Sequence, residues 1–494
     1  MSALQPGVAT GSTGVPLVPG GALIDGAWRT TGLTMAVTDP EDGSLVGQVT
    51  DSSPADVAAA VAAVADSVRT EDWPLWARTT ALHRATELLA GASETFAAII
   101  AAEGVKTVAA ARSEVARCME TLRLSAEAAD ILTGETLPLA ATRRGEDKLG
   151  WFTREPVGVV AAVTPFNDPL NLVAHKVGPA LVGGNGVVLK PSTHTPLTAL
   201  AFAGLLLEAG APAGRIAVVP GDAAAGEALV THELVDLVSF TGGMRTAARI
   251  TESAGPRKML MELGGNNPTI VCVDADLTSA VTQVIEGAFG VAGQNCLSVQ
   301  RVYVHASRYD EFVEAATEAT RHLTVGSKRD ADTDIGPLIT EGEARRVEGW
   351  VAEAVGQGAT IRTGGLRRGA YYFPTILTDV KDGSQVLVEE IFGPVVTISP
   401  YDDLEAAIDA ANGSELALQA GAFTRSLDTA FHIADRLVVG TVVVNGTSDF
   451  RIDAMPFGGF RRSGIGREGV RFAIEAMTEP KNVIVNLAQR NRHS

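Results

Sequence analysis

The sequence predicts an α/β protein with an open, doubly wound parallel sheet followed by a second α/β domain. Short apolar runs alternate with helical patterns, which is typical of parallel strands covered on both faces. The first alternation places strands at 157–163, 186–189, 216–219 and 235–240. The second alternation continues the pattern through 269–273, 302–305, 307–323, 395–399 and 441–445.

Composition excludes several broad classes. Of the 494 residues, 46% are hydrophobic and 20% are charged, so disorder, collagen and coiled coil do not describe the chain. The formal net charge of −18 makes the average surface repel nucleic acid and anionic lipid. We therefore expect neither a nucleic-acid partner nor a membrane partner, and any bound anion must be held by local groups.

Cysteine usage favours a reducing compartment. Cys118, Cys272 and Cys296 are too few for a disulfide framework and lack the paired spacing of a structural zinc site. Residues 1–20 contain no Lys or Arg and no continuous apolar run, so they predict a flexible tail rather than a secretory signal. No apolar stretch approaches the roughly 20 residues of a membrane span. The expected location is the cytoplasm, and no metal site is expected.

The part of the chain before these strands is predicted to be mainly helical. Ser53, Pro54 and Asp56 form a capping-box pattern that opens a helix. Thr195 followed by a proline predicts the start of another helix, which closes at Gly210. Further helical periodicity covers 79–91, 93–103 and 110–133.

Two strand-like segments, 149–154 and 482–486, have no evident partner in either alternation. Exposed strand edges readily pair with another chain. These segments therefore predict pairing between subunits.

Two elements suit a phosphate-bearing ligand. Phe240 to Gly243 join a strand to a helix, where free backbone amides can face a phosphate, although a tight turn needs the same residues. Lys190 ends a buried strand, at the edge where open α/β sheets bind ligands. It is either a solvated strand end or a cofactor ligand, and we favour the ligand.

Two further elements suit chemistry on a carbonyl. Cys296 lies in a polar turn with Gly293, Gln294 and Asn295, which makes its thiol reachable, whereas most lone cysteines are small buried hydrophobes. Glu262 interrupts an apolar run before two glycines. Such a carboxylate is either paired structurally or is a base with a raised pKa.

Together these elements resemble the aldehyde dehydrogenase superfamily over nearly the whole chain after the tail. The interval of 34 residues between Glu262 and Cys296 also fits that family. The matching motifs are Pro165-Phe166-Asn167, Glu262 to Gly265, Gly293 to Cys296, Glu389 to Pro394, Pro456 to Gly459 and Ser463-Gly464.

The resemblance implies a hydrolytic mechanism. The Cys296 thiolate attacks the aldehyde, and the Asn167 amide with the Cys296 N–H holds the oxyanion. After hydride transfer to a nicotinamide, Glu262 activates the water that hydrolyses the thioester. Retention of Glu262 argues against the branch that acylates coenzyme A.

The resemblance also implies a nicotinamide cofactor that bridges two domains. Many members that prefer NAD have a Glu three residues after the Lys, whereas this chain has Thr193, which does not repel a 2′-phosphate. NADP or NAD is expected, with NADP accepted and a preference for it left open. The implied cofactor-binding residues are Thr164, Pro165, Phe166, Lys190, Ser192, Thr193, Phe240, Thr241, Gly242, Gly243, Leu263, Glu390 and Phe392.

The family fold implies a division of the chain. A Rossmann-type cofactor domain is expected at 21–138 and 159–263, and an α/β catalytic domain at 264–478. A small β flap for oligomerisation is expected at 139–158 and 479–494. The assembly implied is a homodimer or homotetramer.

The substrate pocket resembles that of relatives that oxidise phosphorylated or phosphonylated aldehydes. Arg117 and Arg451 match two arginine positions of those enzymes, and Asn295 occupies the third. A guanidinium pair suits a phosphonate, phosphate or carboxylate tail. Alternatively, Arg451 forms an internal salt bridge with Asp449 or Asp453. His175 faces the same tunnel or only packs its helix, and Phe457 is also assigned to the substrate.

The sequence thus predicts an NAD(P)-dependent dehydrogenase for a small aldehyde with an anionic tail. The resemblance extends to non-phosphorylating glyceraldehyde-3-phosphate, phosphonoacetaldehyde and lactaldehyde dehydrogenases. The alternatives are a lactaldehyde-like hydroxyaldehyde dehydrogenase and a non-catalytic structural member of the fold.

Overall fold

The structure is a computed structural model that describes residues 18–30 and 32–487. Two large sheets, each covered by helices, confirm the predicted α/β class. Most of the predicted tail at 1–20 lies outside the described residues. At its end, the carbonyl of Gly20 accepts a hydrogen bond from the backbone N–H of Thr50.

The first sheet has eight strands, and its five central strands are parallel. Side chains alternate between its faces: Val160 joins one apolar core, whereas Val159 and Ala161 join another. Both faces are therefore covered, as a doubly wound sheet requires. In spatial order the strands are Ala27–Arg29, Ala22–Ile24, Ile216–Val218, Gly186–Lys190, Val159–Val163, Leu237–Thr241, Lys258–Glu262 and Gly464–Ile465.

Nine helices accompany this sheet in the described residues. The capping box at Ser53 is confirmed, because its Oγ accepts the N–H of Asp56 at 3.2 Å while the Asp56 carboxylate accepts the N–H of Ser53 at 2.9 Å. The helices are Pro54–Thr70, Leu75–Gly91, Ser93–Glu103, Val108–Glu127, Asn171–Val182, Pro196–Ala209, Ala223–Thr231, Met244–Ser253 and Val470–Ala476.

Two helix predictions need correction. Thr195 makes no capping hydrogen bond with its side chain. Instead the buried carboxylate of Glu103 accepts the N–H groups of Leu197 and Thr198, each at 2.7 Å. The helix predicted over 110–133 ends at Glu127, and a 3₁₀ turn follows.

The second sheet has seven strands, all parallel except the first. In spatial order they are Thr360–Thr363, Thr375–Thr378, Val395–Tyr401, Val299–His305, Asn267–Val271, Gln419–Phe423 and Thr441–Val444. Its helices are Leu277–Phe289, Ala306–Arg321, Glu341–Gly356, Gln385–Val388, Leu404–Asn412 and Leu427–Arg436.

A three-stranded antiparallel sheet changes the interpretation of the two strands without evident partners. Lys148–Pro156 and Thr478–Asn486 pair with each other along their whole length, and Glu135–Leu137 lines the other side of the first. The two strands lie far apart in the sequence, so local patterns did not indicate that they pair. Minor strand pairs join Thr34–Thr38 to Leu45–Thr50, Arg367–Arg368 to Tyr371–Tyr372, and Leu416–Ala417 to Phe460–Arg461.

The chain crosses from the first sheet to the second between Glu262 and Asn267. The expected division gives all of 264–478 to the second domain, but the strand Gly464–Ile465 pairs with the first sheet. The helix Val470–Ala476 also packs in the first core. The C-terminal segment thus returns to the first unit, by which we mean the eight-stranded sheet with its helices, because its apolar side chains complete that core. The second unit is the seven-stranded sheet with its helices.

Among residues 18–30 and 32–487, no single helix is long and apolar enough to cross a membrane. Leu75–Gly91 and Ser93–Glu103 reach that requirement only as a pair, and the chain bends by 76° between them.

Candidate active site

A cavity of about 780 Å³ lies at the carboxyl ends of the first sheet and reaches the second unit. Its walls include all predicted catalytic and cofactor residues, whereas the five predicted substrate residues lie outside its lining. The predicted residues that line it are Thr164, Pro165, Phe166, Asn167, Lys190, Ser192, Thr193, Phe240, Thr241, Gly242, Gly243, Glu262, Leu263, Cys296, Glu390 and Phe392.

The turn that carries Cys296 is tightly built. It follows the helix Leu277–Phe289 and a 3₁₀ turn in which Val291 and Ala292 both have a φ of 53°. Gly293 has a φ of 69°, and a Cβ there would lie 2.2 Å from the carbonyl oxygen of Gly393. Only glycine fits this position.

The Cys296 thiol is half-buried and faces the cavity. Burial raises its pKa, and the nearby carboxylates of Glu390 and Glu262 act in the same direction. The guanidinium of Arg451 opposes them and lowers the pKa of the thiol. Arg451 is therefore the positive charge that favours the thiolate here.

Two hydrogen-bond donors of residues that line the same cavity as the thiol are available. In the described part of the chain, neither the side-chain amide of Asn167 nor the backbone N–H of Cys296 donates a hydrogen bond. Asn267, which sequence reasoning missed, donates from Nδ2 to the carbonyl oxygens of Cys296 at 2.8 Å and Ser298 at 3.0 Å. This clamp fixes the turn and leaves the two donors free to hold an oxyanion.

Glu262 ends the strand Lys258–Glu262 and is buried. Its Oε1 accepts the backbone N–H of Glu468 at 3.3 Å, and its Oε2 has no partner among the described residues. Burial, and then the charge of Glu468, raise its pKa well above the ordinary value. A Cβ on Gly458, where φ is 148°, would lie 2.8 Å from Oε1. This carboxyl has the environment of a general base with a raised pKa.

Glu468 is a second buried carboxylate, and no motif in the sequence pointed to it. Its Oε1 accepts from Nζ of Lys176 at 2.8 Å, and its Oε2 accepts from Nη2 of Arg451 at 3.3 Å. Burial alone raises the pKa of Glu468, but Lys176 and Arg451 outweigh it and lower the pKa to about 2. Glu468 is thus ionised beside a carboxyl, Glu262, that resists ionisation.

Arg451 does form an internal salt bridge, but with a different partner from those predicted. It pairs with Glu468 rather than Asp449 or Asp453, and its guanidinium stacks 3.8 Å from the ring centroid of Phe457. Its side chain is 7% exposed. Its Nη1 donates no hydrogen bond within residues 18–30 and 32–487. The Nη1 group is therefore available, whereas Nε is buried and also has no partner in the described residues.

Arg117 belongs to a neighbouring charge network. It donates to Asp453 at 3.0 Å and to Asp168 at 3.4 Å, and its side chain remains 35% exposed. Asp453 also contacts Nε2 of His175 at 2.8 Å. His175 is fully buried, and burial lowers its pKa. This placement favours the structural interpretation of His175.

Asn295 and Asp449 complete the surroundings of the thiol. Nδ2 of Asn295 donates to Oδ1 of Asp449, and Sγ of Cys296 lies 3.8 Å from Oδ1 of Asn295. Burial raises the pKa of Asp449 to about 7, although the hydrogen bond from Asn295 opposes this shift.

The cavity fits a dinucleotide. The buried hydroxyl of Thr164 has no partner in the described residues, which leaves a polar group for a ligand. Burial lowers the pKa of Lys190 to about 8. The helix Met244–Ser253 begins directly after the glycines at 242 and 243, so its N-terminus faces the cavity.

The opposite end of the cavity is formed by the second unit. Oε1 of Glu390 accepts the N–H of Gly265 at 3.1 Å, and burial raises the pKa of Glu390 to about 7. Phe392 meets Phe166 edge to face, with ring centroids 5.8 Å apart. The two units thus meet across the cavity. No group of three or more His, Cys, Asp or Glu in the described ranges is arranged to hold a metal ion.

Comparison with known proteins gives a consistent result. A model of the Aldehyde dehydrogenase family matches residues 28–483. The 3-sulfolactaldehyde dehydrogenase of Priestia aryabhattai is 44% identical, covering 94% of this chain and 98% of its own length. The aspartate-semialdehyde dehydrogenase 1 of Pseudomonas canavaninivorans is 44% identical, covering 91% and 96%.

A solved structure agrees with these relatives. The NADP-dependent glyceraldehyde-3-phosphate dehydrogenase of Bacillus halodurans C-125, complexed with NADP, superposes with a TM-score of 0.92. It is 37% identical and covers 95% of this chain and 99% of its own.

Proposed function

The chain belongs to the aldehyde dehydrogenase family, and from that premise we propose that its substrate is a small aldehyde with an anionic tail. The activity is the NAD(P)-dependent oxidation of a small aldehyde. The proposal has three parts: the anionic tail of the substrate, the carboxylic acid as product, and the residues that bind and catalyse. The relatives named above take substrates with sulfonate, carboxylate or phosphate groups, which supports an anionic tail.

The observation that carries the proposal is the position of Arg451. It pairs with Glu468, whose N–H donates to Glu262. It also stacks on Phe457, which belongs to the apolar cluster that Cys296 packs against, and its Nη1 donor is available. Arg117 supplies a second, partly exposed guanidinium nearby. A pair of guanidinium groups suits the oxygens of a carboxylate, sulfonate or phosphate.

The chain's own groups carry the covalent chemistry. Sγ of Cys296 bonds to the aldehyde carbon, and the Asn167 amide and Cys296 N–H stabilise the resulting oxyanion. NAD(P) supplies the hydride-accepting chemistry that the oxidation needs. The acyl group then remains on Cys296 as a thioester. Glu262 removes a proton from the water that hydrolyses this thioester and releases the acid.

The cofactor is held by Lys190, Ser192, Thr193 and the turn from 240 to 243, with Glu390 and Phe392 on the far side. Thr193 brings no negative charge toward a 2′-phosphate, which supports acceptance of NADP. The cavity, its unpartnered Thr164 hydroxyl and the helix N-terminus at Met244 support this assignment.

A matched pair of aldehydes tests the tail. We expect kcat/KM for 3-sulfopropanal to exceed that for propanal, which has a hydrogen in place of the sulfonate. Arg451→Gln and Arg117→Gln should reduce that ratio about tenfold or more, as for a lost charged hydrogen bond. Arg112→Gln is the matched control, because Arg112 is exposed on the same helix as Arg117 and pairs with Glu94. Equal efficiency with the two aldehydes contradicts the proposal.

A neutral hydroxyaldehyde is the second candidate. Asp168 and Asp453 already neutralise Arg117, which favours a tail without charge. Under this alternative, lactaldehyde is oxidised more efficiently than any anionic aldehyde, and Arg117→Gln affects charged and neutral tails equally.

The chain is also proposed to be a cytoplasmic homodimer or homotetramer. The strand Thr478–Asn486 has its outer edge unpaired in the described structure and exposes Ile484 and Val485. All three cysteines are free thiols, which supports a reducing compartment. Light scattering on the purified protein tests the assembly, and a monomeric mass contradicts it.

A further inference from the structure

The side chain of Asn295 has a defined orientation beside the nucleophile. Its Oδ1 accepts the backbone N–H of Leu297 at 3.1 Å, while its Nδ2 donates to Asp449. Exchanging the two amide atoms would place an NH₂ group against an N–H and an oxygen against a carboxylate. The two partners therefore fix which end of the amide faces the thiol, and that end is the acceptor.

The acceptor atom, Oδ1 of Asn295, lies close to the expected position of one substrate group, a hydroxyl on the carbon next to the aldehyde. Oδ1 of Asn295 is 3.8 Å from Sγ of Cys296. In the covalent adduct, a hydroxyl oxygen on the carbon next to the aldehyde is only three bonds from Sγ. The oxyanion on the reacting carbon has its own donors in Asn167 and the Cys296 N–H. A neighbouring hydroxyl needs an acceptor instead, and Asn295 offers one on the same turn.

Asp449 is placed to hold Asn295 in this orientation. It is half-buried, and its other carboxylate oxygen, Oδ2, takes part in no hydrogen bond within the described ranges. The charges of Arg117 and Asp168 act on it, and through Asn295 it is connected to the turn that carries the thiol.

We propose that Asn295 accepts a hydrogen bond from a hydroxyl on the carbon next to the aldehyde, and that Asp449 is the positioning residue for its amide. The substrate class is then a 2-hydroxyaldehyde with an anionic tail. This inference rests on the proposed function, because it concerns the same bound aldehyde.

Four aldehydes separate the hydroxyl from the tail. Lactaldehyde and propanal differ only in the hydroxyl, as do 3-sulfolactaldehyde and 3-sulfopropanal. The other two comparisons differ only in the sulfonate. The tail effect therefore reports on the proposed function, and the hydroxyl effect reports on Asn295. The four aldehydes differ in their hydration and intrinsic reactivity, and these differences are the same for every enzyme variant. Each variant is therefore judged by how its kcat/KM ratios between aldehydes change from those of the wild type.

Asn295→Ala should lower kcat/KM for the hydroxyaldehydes about three- to tenfold more than for the deoxyaldehydes, while the ratio set by the sulfonate is kept. Asp449→Ala should lower the hydroxyl ratio in the same direction. Asp449→Asn, which still offers an acceptor to Nδ2 of Asn295, should restore it. If Asn295→Ala does not fold, the comparison of the two Asp449 variants decides. Equal losses on all four aldehydes, or no rescue by Asp449→Asn, would overturn the inference.

Discussion

The backbone N–H of Glu468 donates to Oε1 of Glu262 at 3.3 Å, which brings two carboxyl groups together with opposite pKa shifts. Lys176 and Arg451 hold Glu468 ionised, and this fixed negative charge helps to keep a proton on Glu262. The pair thus divides its roles, with one carboxylate structural and the other able to exchange protons.

The raised pKa of Glu262 predicts a pH profile. A general base acts when deprotonated, so raising its pKa moves the rising part of the rate profile toward alkaline pH. The thiol pKa of Cys296 is raised too, which shifts the profile in the same direction. We expect kcat to increase by about tenfold per pH unit below the apparent pKa. A steady-state profile from pH 6 to pH 10 that is flat or falling contradicts this prediction.

Removing the charge of Arg451 should make Cys296 less reactive. Arg451 lowers the pKa of the thiol, so Arg451→Gln raises it, and each pKa unit reduces the thiolate fraction about tenfold. The measurement is the rate of Cys296 alkylation by iodoacetamide at pH 8, followed by mass spectrometry of the peptide. Arg112→Gln is the control, and its rate should match the wild type. An unchanged rate in Arg451→Gln would show that the charge does not reach the sulfur.

A carboxylate at position 193 should shift the cofactor preference. Thr193→Glu places a negative charge where NADP carries its 2′-phosphate, so the kcat/KM ratio of NADP to NAD should fall about tenfold or more. Thr193→Gln has nearly the same shape without the charge and should retain more of that ratio. If the two variants behave alike, charge at this position does not discriminate.

Glu103 should contribute strongly to stability. Its carboxylate accepts from the N–H groups of Leu197 and Thr198 and from the Thr198 hydroxyl. Glu103→Ala leaves these buried donors without an acceptor, which should reduce the free energy of unfolding by about 2 to 4 kcal/mol. Urea denaturation measures the change. A loss below about 1 kcal/mol would mean that water or another group replaces the carboxylate.

The sequence was sufficient for features that depend on local pattern. Four strands of each sheet and the capping box at Ser53 follow from periodicity and local motifs. The family resemblance implied the common site of Cys296, Glu262 and Lys190, and all three line one cavity. Strand ends of a parallel sheet meet at one edge, so residues at those ends converge whatever their separation along the chain.

Features set by distant partners escaped prediction. Glu103 replaces Thr195 as the cap of a helix that begins more than 90 residues later. Arg451 pairs with Glu468, although two aspartates are closer in sequence. Asp449 is already hydrogen-bonded by Asn295. Asp453 is already held by Arg117 and His175. Such choices depend on packing between elements, which a single sequence does not reveal.

The most direct measurement follows the acyl group on Cys296. Glu262→Gln is mixed with NADP and a substrate aldehyde, and the reaction is monitored by NADPH absorbance and by intact-protein mass. We predict one equivalent of NADPH per subunit, followed by arrest, with the acyl mass found on the Cys296 peptide. Cys296→Ala should give neither signal. Continued turnover in Glu262→Gln, or an arrested burst without an adduct on Cys296, would contradict the assignment of these two residues.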